Sequence, residues 1–85
     1  MERTRRGLLA RMNHLAPVRR DAGRWLQRFQ PAWALAAPKL PPPDRAEWDG
    51  VRLNLLALRY GPLDALPDPA GTFRRARLLL KRKRV

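Results

Sequence analysis

The proline block Pro38–Pro43 constrains the fold of this chain more than any other stretch. Four of its six residues are proline, which lacks a backbone N–H and fixes φ, so the block is excluded from helix interiors and central strands. Residues that precede a proline are also biased towards extended backbone. We therefore predict a short polyproline II spacer between two helical parts of the chain. Pro38 and Pro41 also have the PxxP spacing of ligands for aromatic grooves.

The N-terminal side of the block carries two helical patterns. Residues 1–16 show apolar side chains at helical spacing, and residues 17–30 repeat the pattern with arginines on the opposite face. Pro17 suits the first position of this second helix, and Pro31 suits its end because proline cannot continue a helix. The sequence therefore predicts two helices here, with room for another turn or two before the proline block.

Residues 44–60 carry the clearest amphipathic pattern of the chain. Asp44 is a suitable N-cap, and Glu47 three residues later completes a variant of the capping box. Gly61 suits the left-handed position after a helix, and Pro62 cannot continue one. The apolar face has spacings of three, four and three residues and consists of Trp48, Val51, Leu55 and Leu58.

The rest of the chain is predicted to be a loop and a final helix. Residues 61–72 are rich in proline, glycine and aspartate, which predicts a loop, and Thr72 is expected to cap the last helix. The predicted fold class is all-α: small, with two to four short helices joined by Pro-rich linkers, extended rather than a compact globule, and basic at both ends. The corresponding organisation is a basic helical N-terminal arm (1–37), a Pro-rich spacer (38–43), an amphipathic helix (44–60), a Pro/Gly loop (61–72) and a basic C-terminal helix with its tail (73–85).

Charge is strongly segregated along the chain. The formal net charge is +12, and 16 of the 19 basic residues are arginine. Residues 1–37 hold eight arginines against two acids, and residues 74–85 hold seven basic residues and no acid, whereas residues 38–73 have a net charge of −1. Self-repulsion of this size weakens a compact state and favours an anionic partner, and arginine suits bidentate contacts with phosphate.

Several classes of function lack the residues that they need. The chain has no cysteine and one histidine, His14, which has no nearby acid to orient it as a catalytic base. It has no glycine-rich phosphate loop, no ligands at metal-binding spacing and no apolar run near the ~20 residues of a membrane span. We therefore expect no enzyme activity, no metal or other cofactor, no small-molecule substrate and no transmembrane span.

These features favour a non-catalytic structural subunit of a large ribonucleoprotein, such as a bacterial or organellar ribosomal accessory protein. Its basic ends would contact rRNA phosphates, and such contacts do not require a regular structure in the protein. Its middle helix would contact a neighbouring protein. The candidate RNA-binding residues are Arg3, Arg5, Arg6, Arg11, Arg20, Arg24, Arg28, Arg74, Arg75, Arg77, Lys81, Arg82, Lys83 and Arg84. The candidate partner-binding residues are Trp25, Phe29, Trp48, Val51, Leu55 and Leu58.

Two other functions fit the same features. A small accessory or assembly subunit of a membrane-bound complex, for example a respiratory one, could lie on an anionic membrane surface through its Arg-rich helices. A small helical DNA-binding regulator is a further alternative, although both linkers exceed the three to four residues of a helix-turn-helix. The Arg-rich, acid-poor N-terminus predicts a mitochondrial or other organellar matrix location, with the cytoplasm as the alternative. It leaves open whether residues 1–16 are a targeting segment or a permanent arm.

Overall fold

The computed structural model describes the backbone of residues 2–83 and the side chains of residues 15–82. Helix α1 spans Glu2–Ala36 and continues into one 3₁₀ turn at Ala37–Lys39, α2 spans Pro42–Tyr60, and α3 spans Pro69–Lys83. The predicted all-α class is confirmed, since residues 2–83 contain no strand. In the same part of the chain, no helix combines the length and apolarity that crossing a bilayer requires.

Helix α1 is continuous where the sequence predicted two interruptions. Pro17 and Pro31 both lie inside it and are exposed, although an interior proline costs about 3 kcal/mol through a lost hydrogen bond and a clash. Contacts beyond Pro31 explain why the helix continues. The indole Nε1 of Trp33 donates to Asp49 Oδ1 of α2 at 2.6 Å, and the Arg52 guanidinium carbon lies 4.3 Å from the centroid of the Trp33 ring. Tertiary contacts to α2 therefore offset the local penalty.

The proline block forms a tight corner instead of a rod. Pro38 lies in the 3₁₀ turn, and Pro42 and Pro43 open α2, where a missing N–H removes no helical hydrogen bond. Pro41 is the residue before the helix, with φ −62° and ψ 156°, and no side chain caps it. The prediction that Asp44 caps α2 is therefore wrong. Its carboxylate lies in the first turn, where the helix dipole still favours negative charge.

Helix α2 ends at Tyr60, as predicted, but by a different geometry. Gly61 donates its N–H to Ala57 O at 2.7 Å, yet its φ of −75° and ψ of 170° are extended and not left-handed. Pro62 explains this, because a residue before proline is pushed to extended backbone. Glycine is still required here, since a Cβ at Gly61 would lie 2.5 Å from the Ala57 carbonyl oxygen.

Helix α3 begins three residues before the predicted cap. Asp68 accepts a hydrogen bond from Gly71 N–H on its carboxylate, at 3.0 Å, and its carbonyl accepts one from Thr72 N–H. Pro69 follows at the first helical position, which is the favoured order of an aspartate cap and a proline. Thr72 is instead buried inside α3, where its hydroxyl donates to Asp68 O at 2.7 Å.

One core is shared by all three helices. Phe29 of α1 and Trp48 of α2 stack with ring centroids 5.1 Å apart, and Leu55 of α2 and Leu79 of α3 are at most 1% exposed beside them. The expectation of an extended chain is therefore wrong, because the helices pack into a compact unit. Their connections of two and eight residues return each amphipathic helix to the previous one. The longest dimension, 52 Å, is the length of a 35-residue helix such as α1.

Candidate nucleic-acid interface

Helix α1 presents a row of arginines to solvent. Arg20, Arg24 and Arg28 are all exposed and recur every four residues, so they lie along one side of the helix. The opposite side carries the core residues Ala22 and Phe29, which are fully buried. The sequence predicted this division of α1.

Helix α3 presents a second basic row. Its core side carries Ala76 and Leu79, which are buried. Its basic residues lie at the other positions of the helical repeat and are exposed. Arg75 is partly engaged within its own helix, since its Nε donates to Gly71 O at 3.3 Å. Among the described side chains of α3, the exposed basic residues are Arg74, Arg75, Arg77, Lys81 and Arg82.

The two rows meet at a pair of aromatic rings. Trp25 of α1 and Phe73 of α3 are nearly parallel, with centroids 6.2 Å apart and 15° between their planes. The guanidinium carbon of Arg28 lies 5.5 Å from the centroid of the Trp25 ring. An open groove of about 400 Å³ is lined by Trp25, Ala70, Phe73, Arg74 and Arg77. The fold therefore unites cations that lie almost fifty residues apart in the sequence.

The positive charge of this surface is largely uncompensated. Within the described side chains, the one ion pair joins Arg82 to Glu47 at 3.4 Å, and both groups are well exposed, so the pair contributes little stability. Asp21 is the single acid of α1 between residues 15 and 36. The groups of the site are guanidinium cations, which bind anions, and aromatic rings, which stack on other planar rings.

The remaining predicted site residues have other positions. Arg3, Arg5, Arg6 and Arg11 lie where side chains are not described, as do the side chain of Lys83 and the whole of Arg84. Trp25 is half-buried at the groove. The other five predicted partner-binding residues lie in the core of this chain, where they contact its own helices: Phe29, Trp48, Val51, Leu55 and Leu58.

Some arginines serve the fold, and the sequence did not distinguish them. Arg19 donates to the carbonyl oxygens of Arg59 and Gly61, at 2.7 and 2.8 Å, where α2 ends. Arg45 donates from Nε to Ala37 O at 3.0 Å, where α1 passes into the 3₁₀ turn. The bonds of Arg19 supply a partner for carbonyls at the end of α2, whereas Ala37 O also accepts a backbone bond from Leu40 N–H. The partners of Arg19 are about forty residues away, so no local pattern could have revealed them.

The described residues also define which ligands the site could take. No group of three or more His, Cys, Asp and Glu side chains among them could hold a metal ion. The groups that line the groove and could bind a ligand are arginine cations and aromatic rings. A scan against protein-family models gives no match to this chain, and searches of curated proteins and of solved structures give no significant match.

Proposed function

We propose that this protein is a non-catalytic structural subunit of a ribonucleoprotein that contacts RNA phosphates through the face formed by α1 and α3. The observation that supports this most is the meeting of two exposed arginine rows at one groove, with one acid in the described part of α1, none within α3 and the cap residue Asp68 just before it. Arginine forms bidentate contacts with phosphate, and each phosphate that is neutralised releases counterions from the RNA.

The finer form of the proposal is a ribosomal accessory protein of a bacterium or an organelle. A net charge of +12 on 85 residues would neutralise many of the rRNA phosphates that surround a small ribosomal protein. A neighbouring protein would contact the outward side of α2, where Leu53 and Tyr60 are 59% and 74% exposed. The helix itself carries three basic and three acidic residues, so a protein can approach it without strong repulsion.

An anionic membrane surface is the second candidate partner. Leu78 is 46% exposed on α3 between basic residues, which is the arrangement of a helix that lies on a lipid surface. RNA is the partner we favour, because the site contains two aromatic rings beside its arginines and rings of this kind stack on bases.

Salt dependence tests the proposal. Arg28, Arg74 and Arg77 lie at the groove, and the exposed Arg20 and Arg24 continue the row of Arg28 along α1. If all five neutralise phosphates, the slope of log K against log salt is about −3.5 for single-stranded RNA and about −4.5 for duplex. Fluorescence anisotropy with labelled RNA at several salt concentrations measures that slope.

A matched pair of variants locates the contact. R77Q and K39Q each remove one positive charge from an exposed position, but Lys39 follows α1 and lies about 20 Å along its axis from Trp25. R77Q should flatten the slope by about 0.7 for single strands, whereas K39Q should leave it unchanged. Equal effects of both variants, or a salt-independent affinity, would contradict this site. Binding to anionic vesicles without binding to RNA would favour the membrane surface.

A further inference from the structure

The groove between α1 and α3 has a feature that phosphate binding does not require. Trp25 and Phe73 pack against the core but are only partly buried, so part of each ring remains exposed. Ala70 is the small residue of the lining, so the side of the rings that faces the groove is not filled. The groove thus exposes apolar ring surface in the middle of a basic face.

The volume of the groove limits what can enter it. At about 400 Å³ it lies at the lower end of the range of small-molecule sites, which is about 300–1,000 Å³. The groove is open and small, so it offers a surface for a single ring and not for a stack of paired bases. Bases inside an A-form duplex are stacked and shielded from aromatic side chains, but unpaired bases in loops and bulges can be splayed out onto them.

The arrangement of charge around the rings complements a nucleotide. Arg74 and Arg77 line the groove together with the two rings, and Arg28 lies against Trp25. A base that stacks on the exposed ring surface would thus have guanidinium groups close by to receive its phosphate. Arginine also stacks on planar bases itself, so the cations do not oppose the entry of a ring.

We propose that this groove binds an unpaired base of single-stranded RNA, stacked on the Trp25–Phe73 pair, with the adjoining phosphate held by Arg74 and Arg77. The inference rests on the proposed RNA-binding function and adds to it a preference for single strands. Every base has a flat face, so the groove selects unpaired RNA over duplex without selecting a sequence.

The experiment compares strands and variants at one fixed salt concentration. The full chain is titrated against a labelled oligouridine and against an RNA duplex with the same number of phosphates. The wild type should bind the single strand more tightly. F73L, which keeps an apolar side chain but removes the ring, should lower affinity for the single strand roughly 5- to 150-fold and leave duplex affinity unchanged. F73Y, which keeps the ring, should restore the single-strand affinity.

Other outcomes separate this inference from the proposed function. R77Q should weaken both complexes to a similar extent, because a phosphate contact is insensitive to base pairing. If the wild type binds both RNAs equally, or if F73L lowers both affinities equally, the base-binding groove is wrong while RNA binding stands. If the wild type binds neither RNA, both proposals are wrong. Circular dichroism of each variant verifies its helicity, and the wild-type strand preference decides the inference even if F73L unfolds.

Discussion

Replacing Leu55 with alanine tests whether the three helices form one cooperative core. Leu55 is 0% exposed and packs in the cluster that also contains Phe29, Trp48 and Leu79. Loss of a fully buried leucine costs about 2–5 kcal/mol. We expect about 3 kcal/mol, near the middle of that range, because a small three-helix domain can relax partly around the cavity.

That cost is large for a chain of this size. A domain of 85 residues has a total stability of roughly 4–13 kcal/mol, so L55A should remove a substantial part of it. In a domain of this length each kcal/mol shifts the melting temperature by about 4–8 °C. The expected decrease is therefore about 12–24 °C.

Leu53 provides the matched control. It lies two residues away on the same helix but is 59% exposed, so L53A makes the same chemical change in solvent. Its free energy of unfolding should change by no more than about 0.5 kcal/mol. Thermal melts followed by circular dichroism measure both variants at about 0.15 M salt, where the screening length is about 8 Å and repulsion among exposed charges is reduced. Equal melting temperatures of L55A and L53A, or a gradual wild-type transition, would refute a cooperative core.

Two further predictions concern helix ends and the interruptions that α1 tolerates. D68A should destabilise the chain by about 0.5–2 kcal/mol, because the carboxylate of Asp68 caps Gly71 N–H. D64A, at an exposed loop position, should be nearly neutral. Urea unfolding measures both variants, and a larger loss of stability in D64A than in D68A would contradict the cap. P31A should raise the melting temperature, because it restores an interior helical hydrogen bond, and the net gain should be about 2–2.5 kcal/mol after the added entropy of the unfolded chain is subtracted. P69A, at the first position of α3, should give no such gain, and equal effects of P31A and P69A would show that Pro31 causes no strain.

The apolar face of α2 could be predicted because it depends on local spacing. Trp48, Val51, Leu55 and Leu58 recur at three- and four-residue intervals, which places them on one side of any helix that forms there. All four are at most 5% exposed. What covers them could not be predicted, since a periodic pattern specifies a buried face but not the surface that buries it. The structure supplies α1 and α3 as that surface.

The continuity of α1 could not be predicted from the residues around its prolines. Local rules place a boundary at Pro31, and they describe an isolated segment correctly. The bond from Trp33 to Asp49 and the stacking of Arg52 on Trp33 exist only after α2 has folded back. The cap of α3 is the opposite case. The pair Asp68-Pro69 indicates a helix start from local sequence alone, as an N-cap followed by a proline at the first helical position. The prediction of Thr72 as the cap overlooked it.

The arginines show why net charge alone does not define a binding site. Arg19 and Arg45 donate to backbone carbonyls at helix ends, whereas Arg24 and Arg28 face solvent on α1 and Arg28 lies beside the groove. A neutral carbonyl leaves the charge of its arginine in place, so Arg19 and Arg45 still attract RNA over long distances. Part of their hydrogen-bonding capacity is already used within the chain, however, so they have fewer donors left for direct contacts with phosphate. The +12 charge should therefore govern how fast RNA associates, while the free arginines around the groove determine the salt dependence of the final complex.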